Sequence, residues 1–370
     1  MRQIELPYRH FYYLTILKNL RRIDHSAAIE YLFNNVEENS NNWIDERYKH
    51  FDRPARLLEV SDSAGAYPME SLMKRIQGLP PEIRPVTDGP YTQDLSFDVD
   101  GDHIVVSMLG YKICDFREHR NKERVARILP LVEDLLPMPM TPDQYGVYRD
   151  VGSQFWRLVQ ERDRESMPGE GETAMDVGAH IGYRALAMHA CVGESGKVYA
   201  IEVEDENYEV LLKNIRINQL DNFFGIQAAV DSIPRKATLH SRDPRSMAHG
   251  LRSFEEIQDP SAIDRKDNLT SYTKEVQSTT LDEVISSNGI ESIDNMQISV
   301  TGHEIEVVVG INTVLPRIKS IQVSCPYYRN GIPSEMFVME LLKAKGFGNF
   351  RKKGSATIAD NLHYSPGVGH

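Results

Sequence analysis

The sequence predicts an α/β protein whose larger part, residues 143–370, winds helices around both faces of a mostly parallel sheet. Three observations carry this. From about Thr173 onward, short apolar runs alternate with helical segments, the rhythm of β-α-β units. The first run leads into a glycine-bearing loop, Asp176-Val-Gly178-Ala179-His180-Ile-Gly182, that opens a helix. The second run, Lys197-Val-Tyr-Ala-Ile-Glu202-Val203, ends in an acid at the end where open α/β sheets place their ligands.

Five runs qualify as strands: 173–177, 197–203, 223–230, 295–300 and 320–325. Helices are expected over 181–192, 205–218, 280–288, 303–316 and 334–345. The third helix has a capped start at Thr279-Thr-Leu-Asp-Glu, where a hydroxyl can accept from a free first-turn amide. Segment 240–275 interrupts the rhythm, being polar, mixed in charge and rich in Arg, Asp and Ser, so a lid and a partly disordered loop both remain open.

The first 140 residues read as a mixed α/β accessory region. A helix over 27–38 can be capped by Asp24 or Ser26, and one over 119–136 carries Val125, Ile128, Leu129 and Val132 at helical spacing with a kink at Pro130. Between them, residues 94–109 form a hairpin, with Asp100-Gly101 supplying the turn. Three prolines within 137–142 mark the boundary between the two regions.

Bulk properties narrow the function. At 370 residues, 41% hydrophobic and 26% charged, the chain can bury substantial cores and suits two domains. A net charge of −12 argues against gripping nucleic-acid backbone, which needs a basic face. Cys114, Cys191 and Cys325 show neither disulfide-framework nor zinc spacing, and no metal ligand set is expected. Without a signal peptide or an apolar run long enough to span a bilayer, a cytoplasmic protein is expected. Asp98-Val-Asp-Gly-Asp102 fails as a calcium loop, because Gly101 stands at its fourth position and Leu109 where a bidentate glutamate belongs.

The loop and its acid suggest a nucleotide-like cofactor. Glycines let backbone approach a ligand, a helix N-terminus favours an anionic group, and Glu202 can accept from ribose hydroxyls. A pyrophosphate-binding loop needs a middle glycine where this chain has Ala179-His180, which disfavours a dinucleotide.

These residues resemble the FkbM-type methyltransferases, a class I family with a Rossmann-like fold that uses S-adenosylmethionine mostly on hydroxyl groups. The resemblance rests on Asp176 to Gly182, on Gly196 to Glu202, and on a helix bearing Tyr208, Leu211, Asn214 and Asn218. It continues through Ala228-Ala229-Val230 and Thr280-Leu281-Asp282, and spans roughly 173–347. It implies that Asp176, Gly178, Ala179, His180 and Gly182 form the cofactor loop and that Glu202 and Val203 hold the ribose side. Ala228 and Ala229 would flank the adenine, and Ser299 would complete the cofactor site from the fourth strand.

That fourth strand departs from the family. Where the family reads Ile-Lys-Ile-Asp-Val-Glu-Gly-x-Glu, this chain reads Met296-Gln-Ile-Ser299-Val-Thr301-Gly-His303-Glu304. Charged groups at three positions are replaced by Gln297, Ser299 and Thr301, leaving His303 and Glu304 as catalytic candidates with His180 a third. The leading expectation is O-methylation of a sugar or other small metabolite. Methylation of nitrogen or carbon, and a scaffolding protein that binds cofactor without catalysis, are the alternatives. A homo-oligomer is compatible with the N-terminal region.

Overall fold

A computed structural model describes residues 2–6, 56–60, 95–116, 138–152, 154–155, 158–159, 166–241, 244–245, 249–251, 272–353 and 355–365. The helices expected over 27–38 and 119–136 lie outside the described residues, as does most of segment 240–275. The chain forms two compact units, residues 1–93 with 128–140, and residues 94–127 with 141–370. In the first unit, β1 (Arg2–Leu6) and β2 (Arg56–Val60) pair antiparallel.

The second unit begins with a three-stranded meander: β3 (Ser96–Asp100), β4 (His103–Met108) and β5 (Tyr111–Phe116). Asp100 pairs with His103 across the first turn, where Gly101 takes φ +60, the left-handed conformation that glycine adopts without a Cβ penalty. Helix α1 (Pro142–Val147) follows, opened by a capping box between Thr141 and Gln144.

The sheet at the centre of this unit has seven strands. They are β6 (Thr173–Val177), β7 (Lys197–Glu202), β8 (Phe223–Gln227), β12 (Ile293–Ile298), β13 (Ile318–Ser324), β16 (Phe347–Lys353) and β17 (Ala356–Asn361). Their spatial order is β16-β17-β13-β12-β6-β7-β8. The five inner and early strands run parallel, and β17 joins antiparallel to β13. The strand order therefore reverses at β6, which sits between β7 and β12, and a crevice opens at such a switch point beyond the carboxyl ends of the strands. This is a Rossmann-like doubly wound architecture.

Period-two alternation sorts each strand onto two faces. Met175, Val177, Met296, Ile298, Ile321 and Val323 share one core with Leu281, Val307, Val338 and Leu342. Those last four come from α4 (Leu281–Ser287), α5 (Glu304–Val309) and α6 (Ser334–Ala344). On the other face, α2 (Tyr183–Val192) packs on β6 and β7, and α3 (Asp205–Ile217) on β8.

The structure refines several sequence boundaries. Run 223–230 splits into β8 and a two-residue strand β9 (Ala229–Val230), which leaves the main sheet to pair with β11 (Tyr272–Thr279). The latter pairs antiparallel with β10 (Lys236–Ser241), so both flanks of segment 240–275 join one arm. A small ribbon of β14 (Tyr328–Arg329) and β15 (Ile332–Pro333) precedes α6. The helix expected over 303–316 is only α5, with Gly310 at its C-cap, where a Cβ would meet the Asp231 carbonyl oxygen at 2.5 Å.

Candidate functional site

The cofactor loop leaves β6 through a chain of left-handed residues: Gly178 at φ +84, His180 at +54 and Gly182 at +87. The amides of Gly178 and Ala179 both donate to the Ile201 carbonyl at 2.9 Å, which zips the loop to the end of β7. Gly178 has no substitute, since a Cβ would lie 2.2 Å from the Ser299 carbonyl oxygen. Gly182 caps α2, and a Cβ there would lie 2.4 Å from a Leu211 methyl.

Glu202 is fastened beneath this loop. One carboxylate oxygen accepts from the His180 amide at 2.8 Å and the other from the Glu204 amide at 2.9 Å. Burial pushes its carboxyl up to about 7, against the pull of the amides of Glu204, His180 and Val203. Each oxygen keeps a lone pair, so the group can still accept from a pair of hydroxyls.

Beyond the strand ends lies a cleft. Val177, Gly178, His180, Ile201, Glu202 and Val203 line its floor, and Ala228, Ala229 and Val230 one wall. Leu239 and His249–Leu251 reach it from the arm, while Ser299, Val300, Thr301 and His303 form the opposite wall. The arm is fastened to the start of α3 by ion pairs of Lys274 with Asp205 at 2.7 Å and of Arg245 with Glu206 at 2.7 Å.

The Ser299 wall is built under strain. The Ser299 amide continues the β6 ladder by donating to Val177 at 2.9 Å, after which Thr301 takes φ +46 and Gly302 φ +81. A β-branched residue in the left-handed region is an outlier that persists only where its surroundings impose it. Here the Gly302 amide donates to Glu304 at 3.0 Å and its carbonyl accepts from Arg329 at 2.8 Å. Arg329 also pairs with Glu306 at 2.9 Å. His303 sets Nε2 on Asp231 at 3.0 Å and faces Glu306 with Nδ1 at 3.6 Å. Although burial works against both carboxylates, they lie below their usual range. At Asp231 the Ser232 amide and His303 prevail, and at Glu306 Arg329 and His303 bring the carboxyl to about 2.

Of the residues singled out from sequence, the cleft gathers Gly178, His180, Glu202, Val203, Ala228, Ala229, Ser299 and His303. It is not lined by Asp176, Ala179, Gly182 or Glu304. Ala179 and Gly182 shape the loop from behind. Glu304 is buried, with one oxygen on Gly302 and the other lacking a partner, and its carboxyl is pushed up to about 7 by burial. Asp176 is 2% exposed, with one carboxylate oxygen unpartnered; burial raises it to about 6, against Arg184. Leu239 and His249–Leu251 were missed. Alternation of Ala237 and Leu239 along β10 offered a signal for the first. Nothing in the polar segment marked the others.

These donors and acceptors fit an S-adenosyl group. Glu202 offers the acceptors a ribose diol needs, and apolar residues of the cleft suit a planar base. Among the described residues no cluster of three or more His, Cys, Asp or Glu is arranged to hold a metal ion. No described helix is long and apolar enough to cross a membrane.

Residues 176–348 match the model of the FkbM methyltransferase domain. Among solved structures, the chain is similar to a SAM-dependent methyltransferase from Aquifex aeolicus, at 18% identity and TM-score 0.31, covering 57% of this chain and 98% of that one. It is also similar to a putative rRNA methylase from Clostridium thermocellum, at 12% identity and TM-score 0.34, covering 58% and 96%. Fibrillarin from Aeropyrum pernix follows at 10% identity and TM-score 0.31, covering 72% and 97%. No curated protein matches the chain.

Proposed function

We propose, on the premise that residues 176–348 are an FkbM methyltransferase domain, that the cleft binds S-adenosylmethionine and serves methyl transfer to a hydroxyl of a sugar or other small metabolite. The observation that carries the reading is the join between Gly178 and Glu202. A loop that excludes a Cβ at Gly178 is tied by the His180 amide to a buried carboxylate that lines the cleft. S-adenosylmethionine supplies an electrophilic methyl group on a sulfonium. The chain's own part is to hold the nucleoside at Glu202 and Ala228–Val230 and to present the acceptor beside Ser299. Proximity of this kind is a large part of what any transferase contributes.

Calorimetric titration with S-adenosylmethionine, S-adenosylhomocysteine and NAD tests the cofactor. Binding of the first two and not of NAD is expected; the reverse order overturns the reading. Transfer of labelled methyl to a panel of glycosides and hydroxylated metabolites then tests the acceptor, and transfer only to amines or carbon acids would move the reaction to another atom. Within this reading, residues 1–140 select the acceptor or mediate self-association, and the protein works in the cytoplasm.

A second reading is favoured by one observation. The wall opposite the cofactor loop carries Ser299 and Thr301, neither of which takes a proton at neutral pH, and both ring nitrogens of His303 are turned to carboxylates. A domain that binds cofactor with little turnover follows. Restoring the acids in Ser299→Asp with Thr301→Glu raises activity under this reading; wild-type activity equal to the variant's rejects it.

A further inference from the structure

The strained turn at Thr301–Gly302 and the strand end at Ala228–Val230 form opposite walls of the cleft, and one side chain joins them. His303 follows the turn directly, and its Nε2 reaches Asp231, the residue after β9, at 3.0 Å. Asp231 is itself fixed: it accepts from the Ser232 amide at 2.6 Å, pairs with Arg235 at 2.7 Å, and donates its own amide to Thr279 at 2.8 Å. From the other side, Glu306 and Arg329 extend the chain of charges back to the Gly302 carbonyl. Side chains thus form a continuous line from Arg235 through Asp231, His303 and Glu306 to Arg329. Helix α5 is attached to the same residue at its far end, where Gly310 lies against the Asp231 backbone.

We propose that His303 is a positioning residue that locks the nucleoside wall to the Ser299–Gly302 wall and thereby sets the width of the cleft for the whole S-adenosyl ligand. The inference rests on the cofactor reading above. A left-handed threonine requires external restraint, and the restraint is this line of side chains, anchored by the His303–Asp231 and Arg329–Glu306 contacts. Because the Ser299 carbonyl occupies the space a Cβ on Gly178 would need, movement of the turn also disturbs the cofactor loop. A ligand reaching from Glu202 to Gly178 and Ser299 feels both walls, whereas a bare nucleoside feels one.

The test uses the full chain, with S-adenosylhomocysteine and 5′-methylthioadenosine as probes. In His303→Gln the first should weaken about tenfold while the second stays within about twofold. Asp231→Asn should reproduce that selectivity, and the double variant should lose no more than about twofold beyond His303→Gln, since both cut one link. Equal weakening of both probes, additive losses or undiminished binding would each overturn the proposal. Thermal melting verifies that each variant folds; if His303→Gln does not, Asp231→Asn and Glu306→Gln carry the same comparison. Failure of the wild type to bind either probe overturns the cofactor reading as well, which separates the two failures.

Discussion

Two residues bear the ligand-facing geometry, and each yields a measurement. At Gly178 the left-handed φ of +84 and the Ser299 carbonyl leave no room for a methyl group. Gly178→Ala should therefore weaken S-adenosylhomocysteine at least tenfold in calorimetry, through displacement of the loop or of the Ser299 wall; unchanged affinity would show that the loop is not where the ligand sits. At Glu202 the carboxyl titrates near 7 because burial disfavours its charge. The ionised form is the better acceptor for hydroxyls, so affinity should fall as pH drops from 8 to 6. Glu202→Gln should remove that dependence and bind about tenfold more weakly at pH 8. A flat wild-type profile would sink the assignment.

At the scale of elements, motif residues that suggest chemistry turn out to hold the fold together. On α3, Asn214 donates to the carbonyls of Cys114 and Ile181 at 3.1 and 2.8 Å and accepts from the Cys114 amide at 2.7 Å. Four residues on, Asn218 repeats the exchange with Lys112 at 2.6 and 2.7 Å. The two side chains mimic a neighbouring strand along the free edge of β5, a role that needs an amide with both donor and acceptor. Asn214→Ala should cost about 2–4 kcal/mol, because it strands buried backbone groups, and Asn218→Ala clearly less. Urea unfolding with equal losses for the two would contradict this. Asp282 is similar: it accepts from the amides of Asn312, Thr313 and Val314 and so ties the start of α4 to the loop after α5.

Among the described residues of the molecule, four buried carboxyls, Asp176, Glu202, Glu204 and Glu304, share one sign of pH dependence. Asp176 sits at about 6, and Glu202 and Glu304 at about 7, each raised chiefly by burial. A carboxyl whose folded pKa is raised binds its proton more tightly in the folded state. Its contribution is present at low pH and lost as pH rises through the folded pKa. The ligand-free protein should therefore melt several degrees lower at pH 8 than at pH 6. His103, lowered by burial and by Lys213, works in the opposite sense, but it is only partly buried. A melting temperature that rises over this interval would refute the prediction. Saturating S-adenosylhomocysteine should shrink the difference, because it engages the ionised Glu202.

The sequence determined the parts that obey local rules. Short apolar runs gave β6, β7, β12 and β13; glycines at Gly178 and Gly182 gave the loop; and the acid at Glu202 gave the floor of the site. These follow from backbone sterics and from alternation, which act within a few residues. Tertiary structure decided the rest. Leu239 and His249–Leu251 reach the cleft only because β10 and β11 fold into an arm. Glu304 and His303 are adjacent in sequence, yet one turns inward to a backbone amide while the other lines the cleft and bridges to Asp231. No periodicity separates them. Which way each side chain points depends on a strained turn, and that turn is imposed by charges from Arg329 and Asp231, far away along the chain. Strain of this kind is set by the sum of distant contacts, so it becomes legible only once the chain has folded.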